Sequence, residues 1–368
     1  MKALITGGGT GGHIYPALSV ADELKDRGWD IEYVGSSNSL EEEILSNTEY
    51  TFNPIKVLPL PRSINLKLFK SFFISIKAIF KSYKLIKKIK PDIVFGTGGY
   101  VTGPVLIGAF LGKIPTVIHE QNIYPGITNK ILSFFVTKIA VTNIDAKKYF
   151  NKRVRAKIVQ TGNPIRKKIV QTDRITGLKN LKLSMNKKTL LIMGGSQGSE
   201  TINNAFSNTA ARLLKDNNLQ VIIITGKDNY DSFINKNKYV IENNSKSLKV
   251  LPYLNNIEWA YAAADLIIYR AGATGLAEIT GCGLPAILVP YPYSAEDHQK
   301  YNAEFMERSG AAIMVEDNKL TGDKLNSIIN NIIFDDNKLR EMSKKCKKLA
   351  NLNASEKIVD IIEEKAGE

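Results

Sequence analysis

The chain has 368 residues, 43% of them hydrophobic, and a formal net charge of +14. Its length predicts two domains, each large enough for its own core. No apolar run approaches the roughly 18 residues of a spanning helix. Two cysteines, Cys282 and Cys346, and three histidines exclude a disulfide framework and a histidine-rich metal site. The positive charge points to an anionic partner: nucleic acid, nucleotide or anionic lipid. The N-terminus enters a strand at once, which leaves no room for a signal peptide, and a cytoplasmic protein is expected.

Ala3 to Thr6 is a short apolar run that reads as a buried strand. Five glycines follow between Gly7 and Gly12, and a helical pattern opens at His13 with Ile14, Ala17, Leu18, Ala21 and Leu24 on one face. Strand, glycine turn and helix together present backbone N–H groups to a phosphate or a sugar oxygen. The spacing Gly-Thr-Gly-Gly-His differs from the Gly-x-Gly-x-x-Gly of a dinucleotide fold, and the histidine suggests chemistry at the loop. Further strands are predicted at Ile31–Val34, Asp92–Phe95, Thr116–Ile118, Lys138–Val141, Leu190–Met193, Gln220–Thr225, Leu266–Tyr269 and Ala286–Val289. Helical patterns fit between them, so the fold class is α/β, with parallel sheets covered on both faces. Glycine-rich turns follow strand ends at Gly7–Gly12, Gly96–Gly99, Gly194–Gly198 and Gly272–Gly275, two in each half of the chain. Two doubly wound domains with facing loops would place one cleft between them. The boundary is expected near Asn163-Pro164, where the chain becomes polar, Lys-rich and irregular.

Tyr50 to Pro91 contains no Asp or Glu but carries Arg62 and nine lysines. At helical period Phe69, Phe72, Phe73, Ile76, Ile79, Phe80 and Tyr83 share a face, with Lys67, Lys70, Lys77, Lys81, Lys84 and Lys88 beside it. The pattern fits an ordinary surface helix with its apolar face on the core. It also fits a membrane-surface helix with lysines on anionic headgroups. Nucleic acid is a third option, carried only by basic residues with scattered aromatics.

Later loops repeat the first. Gly96-Thr-Gly-Gly-Tyr100 joins a strand to a helix opening near Thr102. His119-Glu-Gln-Asn122 follows a buried strand, where polar groups must be paired or exposed in a site. Gly194-Gly-Ser-Gln-Gly198 is a natural diphosphate cradle. Arg270 to Glu278 places Glu278 about one turn into a helix, where its carboxylate can accept from a ribose diol or complement the helix dipole. Pro290-Tyr-Pro-Tyr293 then leads to Asp297-His-Gln-Lys-Tyr-Asn302, a segment suited to closing over a sugar. Neither a Ser/His/Asp nucleophile nor a metal pair is supported.

Taken in order, these motifs resemble the MurG family of GT-B glycosyltransferases. The resemblance runs from Lys2 to about Ala350. It rests on Thr6 to His13, Gly98-Gly-Tyr100, His119 to Asn122, Gly162-Asn-Pro-Ile-Arg166, Gly194 to Gly198, Arg270 through Glu278, and Asp297-His-Gln299 with Asn302-Ala303. It implies two Rossmann-like doubly wound domains facing across a cleft. Residues 1–163 would form the acceptor and membrane-side domain and residues 164–344 the UDP-GlcNAc-binding domain, with a terminal helix over about 345–368 packing back on the first. It also implies transfer of N-acetylglucosamine from UDP-GlcNAc to lipid I at the cytoplasmic face of the bacterial membrane, giving lipid II, without cofactor or metal.

By motif position, Thr10, Gly11 and Gly12 would approach the diphosphates and Asn122 the transferred sugar. Arg166 and Ser196 would bind the UDP diphosphate, and Leu254 would contact uracil through its backbone. Ala273, Thr274, Gly275, Leu276, Ala277 and Glu278 would hold UDP, with Glu278 on the ribose, and Gln299 would bind GlcNAc hydroxyls. Lys300 stands where some members have a second glutamine, and Ala271 and Gly275 replace more polar residues. The implied reaction inverts the sugar: the acceptor C4 hydroxyl attacks GlcNAc C1 directly. His13 is the best candidate for the base, since an unperturbed imidazole titrates near neutral pH; His119 is its competitor. The rival enzyme is a UDP-sugar 2-epimerase of the same architecture, which needs carboxylates placed for proton abstraction; Glu120 is present without a clear pair. The rival from another class is a nucleic-acid-binding module, for which no recognisable motif is present.

Overall fold

The computed structural model describes residues 1–58, 66–216 and 218–367, without the side chains of residues 66–73. It divides into two compact units: Met1–Ile165 with Asn351–Glu368, and Arg166–Ala350.

The first unit holds strands β1 (Lys2–Thr6), β2 (Asp30–Ser36), β3 (Thr51–Ile55), β4 (Ile93–Gly96), β5 (Thr116–Glu120), β6 (Lys138–Val141) and β7 (Ile158–Gln160). They form one parallel sheet in the order β3-β2-β1-β4-β5-β6-β7. Alternation along each strand feeds two cores. Ala3 and Ile5 of β1, with Ile93 and Phe95 of β4, pack beneath helix α1 (Gly11–Asp26). Leu4 and Val94 face the other way. That second face is covered by α3 (Leu66–Ile89), α4 (Thr102–Leu111) and α5 (Ile127–Leu132), while the short α2 (Leu40–Leu45) contributes Leu45 to the first core. The terminal helix Ala354–Ala366 returns to this unit and buries Ile358, Val359, Ile361 and Ile362 in the core beneath α1. Arg27 fixes it by bonding Asp360 at 2.7 Å and Glu363 at 2.8 Å.

The second unit holds β8 (Lys188–Met193), β9 (Leu219–Ile224), β10 (Leu248–Leu251), β11 (Leu266–Tyr269), β12 (Ala286–Leu288) and β13 (Ala312–Met314). They are again all parallel, in the order β10-β9-β8-β11-β12-β13. Leu191 and Met193 face one core, Leu190 and Ile192 the other. Each sheet reverses its winding at its centre, between β1 and β4 and between β8 and β11. The four glycine-rich turns follow these four central strands, so each pair lies at its own unit's switch point, where open α/β sheets bind ligands.

Two expectations need revision. β5 runs on through His119 and Glu120, so these residues belong to the strand and are fully buried rather than following it. On α3 the buried residues among those described are Ala78, Ser82 and Ile86; of the face expected to be apolar, Ile76, Ile79 and Tyr83 are half-buried and Phe80 is 61% exposed. Close helix packing accounts for the small side chain of Ser82: a Cβ on Gly108 of α4 would lie 3.0 Å from its Cβ. Phe69, Phe72, Phe73, Lys67 and Lys70 fall where side chains are not described, and Arg62 lies outside the described residues altogether.

Candidate active site

In the first unit the site begins as the turn from β1 to α1. Tyr33 donates its hydroxyl hydrogen to Gly7 O at 2.6 Å. The buried Glu41 accepts from Gly9 N at 3.2 Å and from Ser36 N at 3.0 Å. These two side chains hold the turn from beneath. Space decides the glycines: a Cβ on Gly8 would lie 2.4 Å from Glu41 Oε1, and one on Gly99 would lie 2.2 Å from Gly8 O. Thr10 caps α1 in extended conformation without a side-chain cap bond, and the first turn carries no acid. The partial positive charge of the helix end is therefore not offset by an acidic side chain of that turn.

His13 is half-buried at the start of α1, and its Nδ1 lies 3.0 Å from Thr97 O. A carbonyl only accepts, so Nδ1 carries a hydrogen, and in the neutral ring Nε2 then holds the lone pair. His119 is in the opposite state. It is fully buried, its Nε2 donates to Gly162 O at 2.8 Å, and its Nδ1 has no hydrogen-bond partner among the described residues. Burial lowers its pKa to about 4, and the nearby His13 adds to this. Glu120 is enclosed by donors. Its Oε1 accepts from Asn122 N at 2.9 Å and Asn122 Nδ2 at 3.2 Å; its Oε2 accepts from Asn129 Nδ2 at 2.8 Å and Gly126 N at 3.1 Å. Burial raises its pKa while these bonds pull the other way. A carboxylate so occupied orders the loop that carries Asn122.

In the second unit Arg166 Nη2 pairs with Glu278 Oε1 at 3.1 Å, and Tyr261 donates to Glu278 Oε2 at 3.1 Å. Glu278 is buried on the helix Ala273–Cys282, and burial raises its pKa against the pull of Arg166 and Tyr261. Two residues assigned separately to ribose and diphosphate therefore form one pair. Ala273 and Ala277 are half-buried, and Thr274, Gly275 and Leu276 are buried. A Cβ on Gly275 would lie 2.1 Å from the Tyr269 hydroxyl, which accounts for glycine at that departure from the family pattern. Ser196 is exposed at the tip of the turn after β8. Leu254 is half-buried against the core beside the same helix. Gln299 accepts from Tyr291 N at 3.0 Å.

Sequence reasoning missed the hub of these loops. Arg270 is 7% exposed and donates to Ser199 Oγ at 2.6 Å, to Asp317 at 2.5 Å and to Val289 O and Pro290 O at 3.1 Å. It ties the turn after β8 to the turn after β11 and to the segment leading to Gln299. Tyr261 and Glu41 were also missed. A buried arginine inside an Ala-Gly-Ala turn was the one available signal, since burial of guanidinium requires several acceptors. Tyr261 and Glu41 carried none.

Comparison with known proteins agrees with the two-unit organisation. The glycosyltransferase family 28 N-terminal domain matches residues 3–141, and the family 28 C-terminal domain matches residues 189–362. The UDP-N-acetylglucosamine--N-acetylmuramyl-(pentapeptide) pyrophosphoryl-undecaprenol N-acetylglucosamine transferase of Halothermothrix orenii is 46% identical, over 100% of this chain and 99% of its own. The transferase of the same name from Desulforamulus reducens is 41% identical, over 99% and 98%. The crystal structure of Acinetobacter baumannii MurG is similar with a TM-score of 0.76 at 28% identity, covering 99% of each chain. A UDP-GlcNAc 2-epimerase from Neisseria meningitidis shares the fold alone, with a TM-score of 0.70 at 16% identity over 99% of this chain and 100% of its own. With both family 28 domains in order and full-length relatives above 40% identity, the chain belongs to the MurG family of glycosyltransferases.

Proposed function

We propose that the protein transfers GlcNAc from UDP-GlcNAc to the C4 hydroxyl of the MurNAc-pentapeptide in lipid I, forming lipid II for peptidoglycan synthesis. Full-length identity to transferases named for this reaction is the observation that carries the reading. His13 is the proposed base: its Nε2 takes the hydroxyl proton as the acceptor oxygen bonds to GlcNAc C1. The C1–O bond to UDP breaks with its electron pair going to the diphosphate, which leaves as UDP. Thr10, Gly11 and Gly12 are proposed to approach the diphosphates and Asn122 the sugar. Arg166, Ser196, Leu254, the segment Ala273 to Glu278, and Gln299 are proposed to hold the donor. Preorganised N–H groups and a guanidinium stabilise charge that grows on a leaving group.

The lipid acceptor calls for a membrane surface, and the first unit offers one. No helix among the described residues is long and apolar enough to cross a membrane. Phe80, Phe110, Ile127, Ile131 and Phe134 are 48–65% exposed on and beside α3, α4 and α5. Phe110 and Phe135 meet with ring centroids 5.3 Å apart, joining α4 to the segment after α5. Lys77, Lys84 and Lys88 on α3 are exposed. Apolar side chains flanked by lysines suit an anionic leaflet, which supports the reading of peripheral docking at the cytoplasmic face.

The test of the base is His13→Ala. A general base contributes roughly 10²–10⁴-fold, so kcat should fall by about that factor. UDP affinity by calorimetry should be largely retained, because its proposed side-chain ligands Arg166, Ser196 and Glu278 lie in the second unit. If kcat stays near the wild-type value and His119→Ala loses it instead, His13 is not the base.

A further inference from the structure

One residue holds His13 at two points. Thr97, directly after β4, donates its Oγ1 hydrogen to His13 O at 2.8 Å, and its own carbonyl accepts from the ring Nδ1 at 3.0 Å. A second donor meets that carbonyl: Gln121 Nε2, at 2.7 Å. Gln121 directly follows β5 and is 3% exposed. Its nitrogen also faces His119 O at 3.5 Å, while its Oε1 has no hydrogen-bond partner among the described residues. Rotating the amide by half a turn would set oxygen against two carbonyls, so its orientation is determined.

The peptide between Thr97 and Gly98 needs such an anchor. Gly98 has φ of +107°, and without a Cβ it offers little resistance to a turned peptide plane. A turned plane would present the Gly98 N–H to His13 Nδ1. Nδ1 would then accept, the proton would move to Nε2, and the ring would lose the lone pair that a base needs. The same turn would set that N–H against the Gln121 amide, donor against donor. We propose that Gln121 is a positioning residue for the reaction: by holding the Thr97 carbonyl, it keeps the proton of His13 on Nδ1, so that Nε2 carries the lone pair of the neutral ring. The proposal rests on the reading of His13 as the base.

The ring nitrogens report this directly. Three histidines, His13, His119 and His298, give few enough ¹⁵N ring signals to assign by replacing each with Gln in the full chain. The wild type should show His13 protonated on Nδ1 and His119 protonated on Nε2. In Gln121→Met the His13 signals should move to a mixed or reversed tautomer. Its kcat with UDP-GlcNAc and a short-chain lipid I analogue should fall by at least about tenfold, short of the roughly 10²–10⁴-fold of losing a base outright. Calorimetric UDP affinity should match the wild type. Gln121→Asn, whose amide is too short to reach the carbonyl, repeats the test should the methionine variant fold poorly. A wild-type His13 protonated on Nε2 overturns the proposal. So does an unchanged tautomer in both variants, or a changed tautomer with kcat within about twofold. Normal kcat in His13→Ala would instead remove the base reading while leaving the tautomer result in place.

Discussion

His119 and His13 lie in the same unit, yet burial separates what they can do. His119 is fully buried and neutral, with a pKa lowered to about 4 from the ordinary 6.5. Unfolding releases it to take a proton at any pH below about 6.5. Its contribution to stability is therefore complete above that pH and lost as pH falls toward 4. Between pH 7 and pH 5 the loss from this one group is about 2 kcal/mol. Urea unfolding of wild type and His119→Gln at both pH values checks this. The wild type should lose more stability than the variant by about that amount, and equal losses would contradict it. The two histidines also show the limit of sequence at this scale. Gly-Thr-Gly-Gly-His13 announced a residue at the start of a helix, and His13 stands in the first turn of α1. His119-Glu-Gln-Asn122 announced a loop, but its first two residues complete β5. Polar residues in a central strand break the apolar pattern that marks strands, and their partners, Gly162 O and Asn129, are distant in sequence or beyond an intervening turn.

At the scale of elements, the central strands were legible and the edges were not. β3, β7, β10 and β13 went unrecognised, and they are the four sheet edges. An edge strand need not be apolar on both faces: β3 reads Thr-Phe-Asn-Pro-Ile and is largely solvent-facing. The glycine turns were legible because their geometry excludes other residues. Gly99, with φ of +86° and Gly8 O in the place of a Cβ, should lose about 1–3 kcal/mol or more on replacement by Ala. Gly126, with φ of −65° and nothing within 4 Å of a built Cβ, should change by no more than about 0.5 kcal/mol. Denaturant unfolding compares them, and similar values for the pair would contradict the packing argument. For α3, the amphipathic pattern was legible, but which apolar residues reached the core was not, because packing against α4 decides it. Lys77→Glu, Lys84→Glu and Lys88→Glu together should weaken binding to anionic vesicles, each lysine being worth about 1 kcal/mol near the surface. Activity on a soluble short-chain acceptor should persist. Undiminished vesicle binding would leave α3 as an ordinary surface helix.

For the whole molecule, both units repeat one plan: a parallel sheet, a central reversal, and two glycine turns at the switch point. That plan was legible from alternating strands and helices. It does not separate a transferase from a 2-epimerase, since solved structures of both share it. Family membership and side chains do. Glu120, the one acidic group of the first unit's loops considered for proton abstraction at the sugar, is sealed by four N–H groups. The measurement that tests the central claim most directly follows UDP-GlcNAc with and without a short-chain lipid I analogue. UDP should appear only when the acceptor is present, in equal amount with a disaccharide whose new linkage is β, inverted from the α-linked donor. Conversion of UDP-GlcNAc to its C2 epimer without acceptor, or UDP release indifferent to the acceptor, would contradict the account.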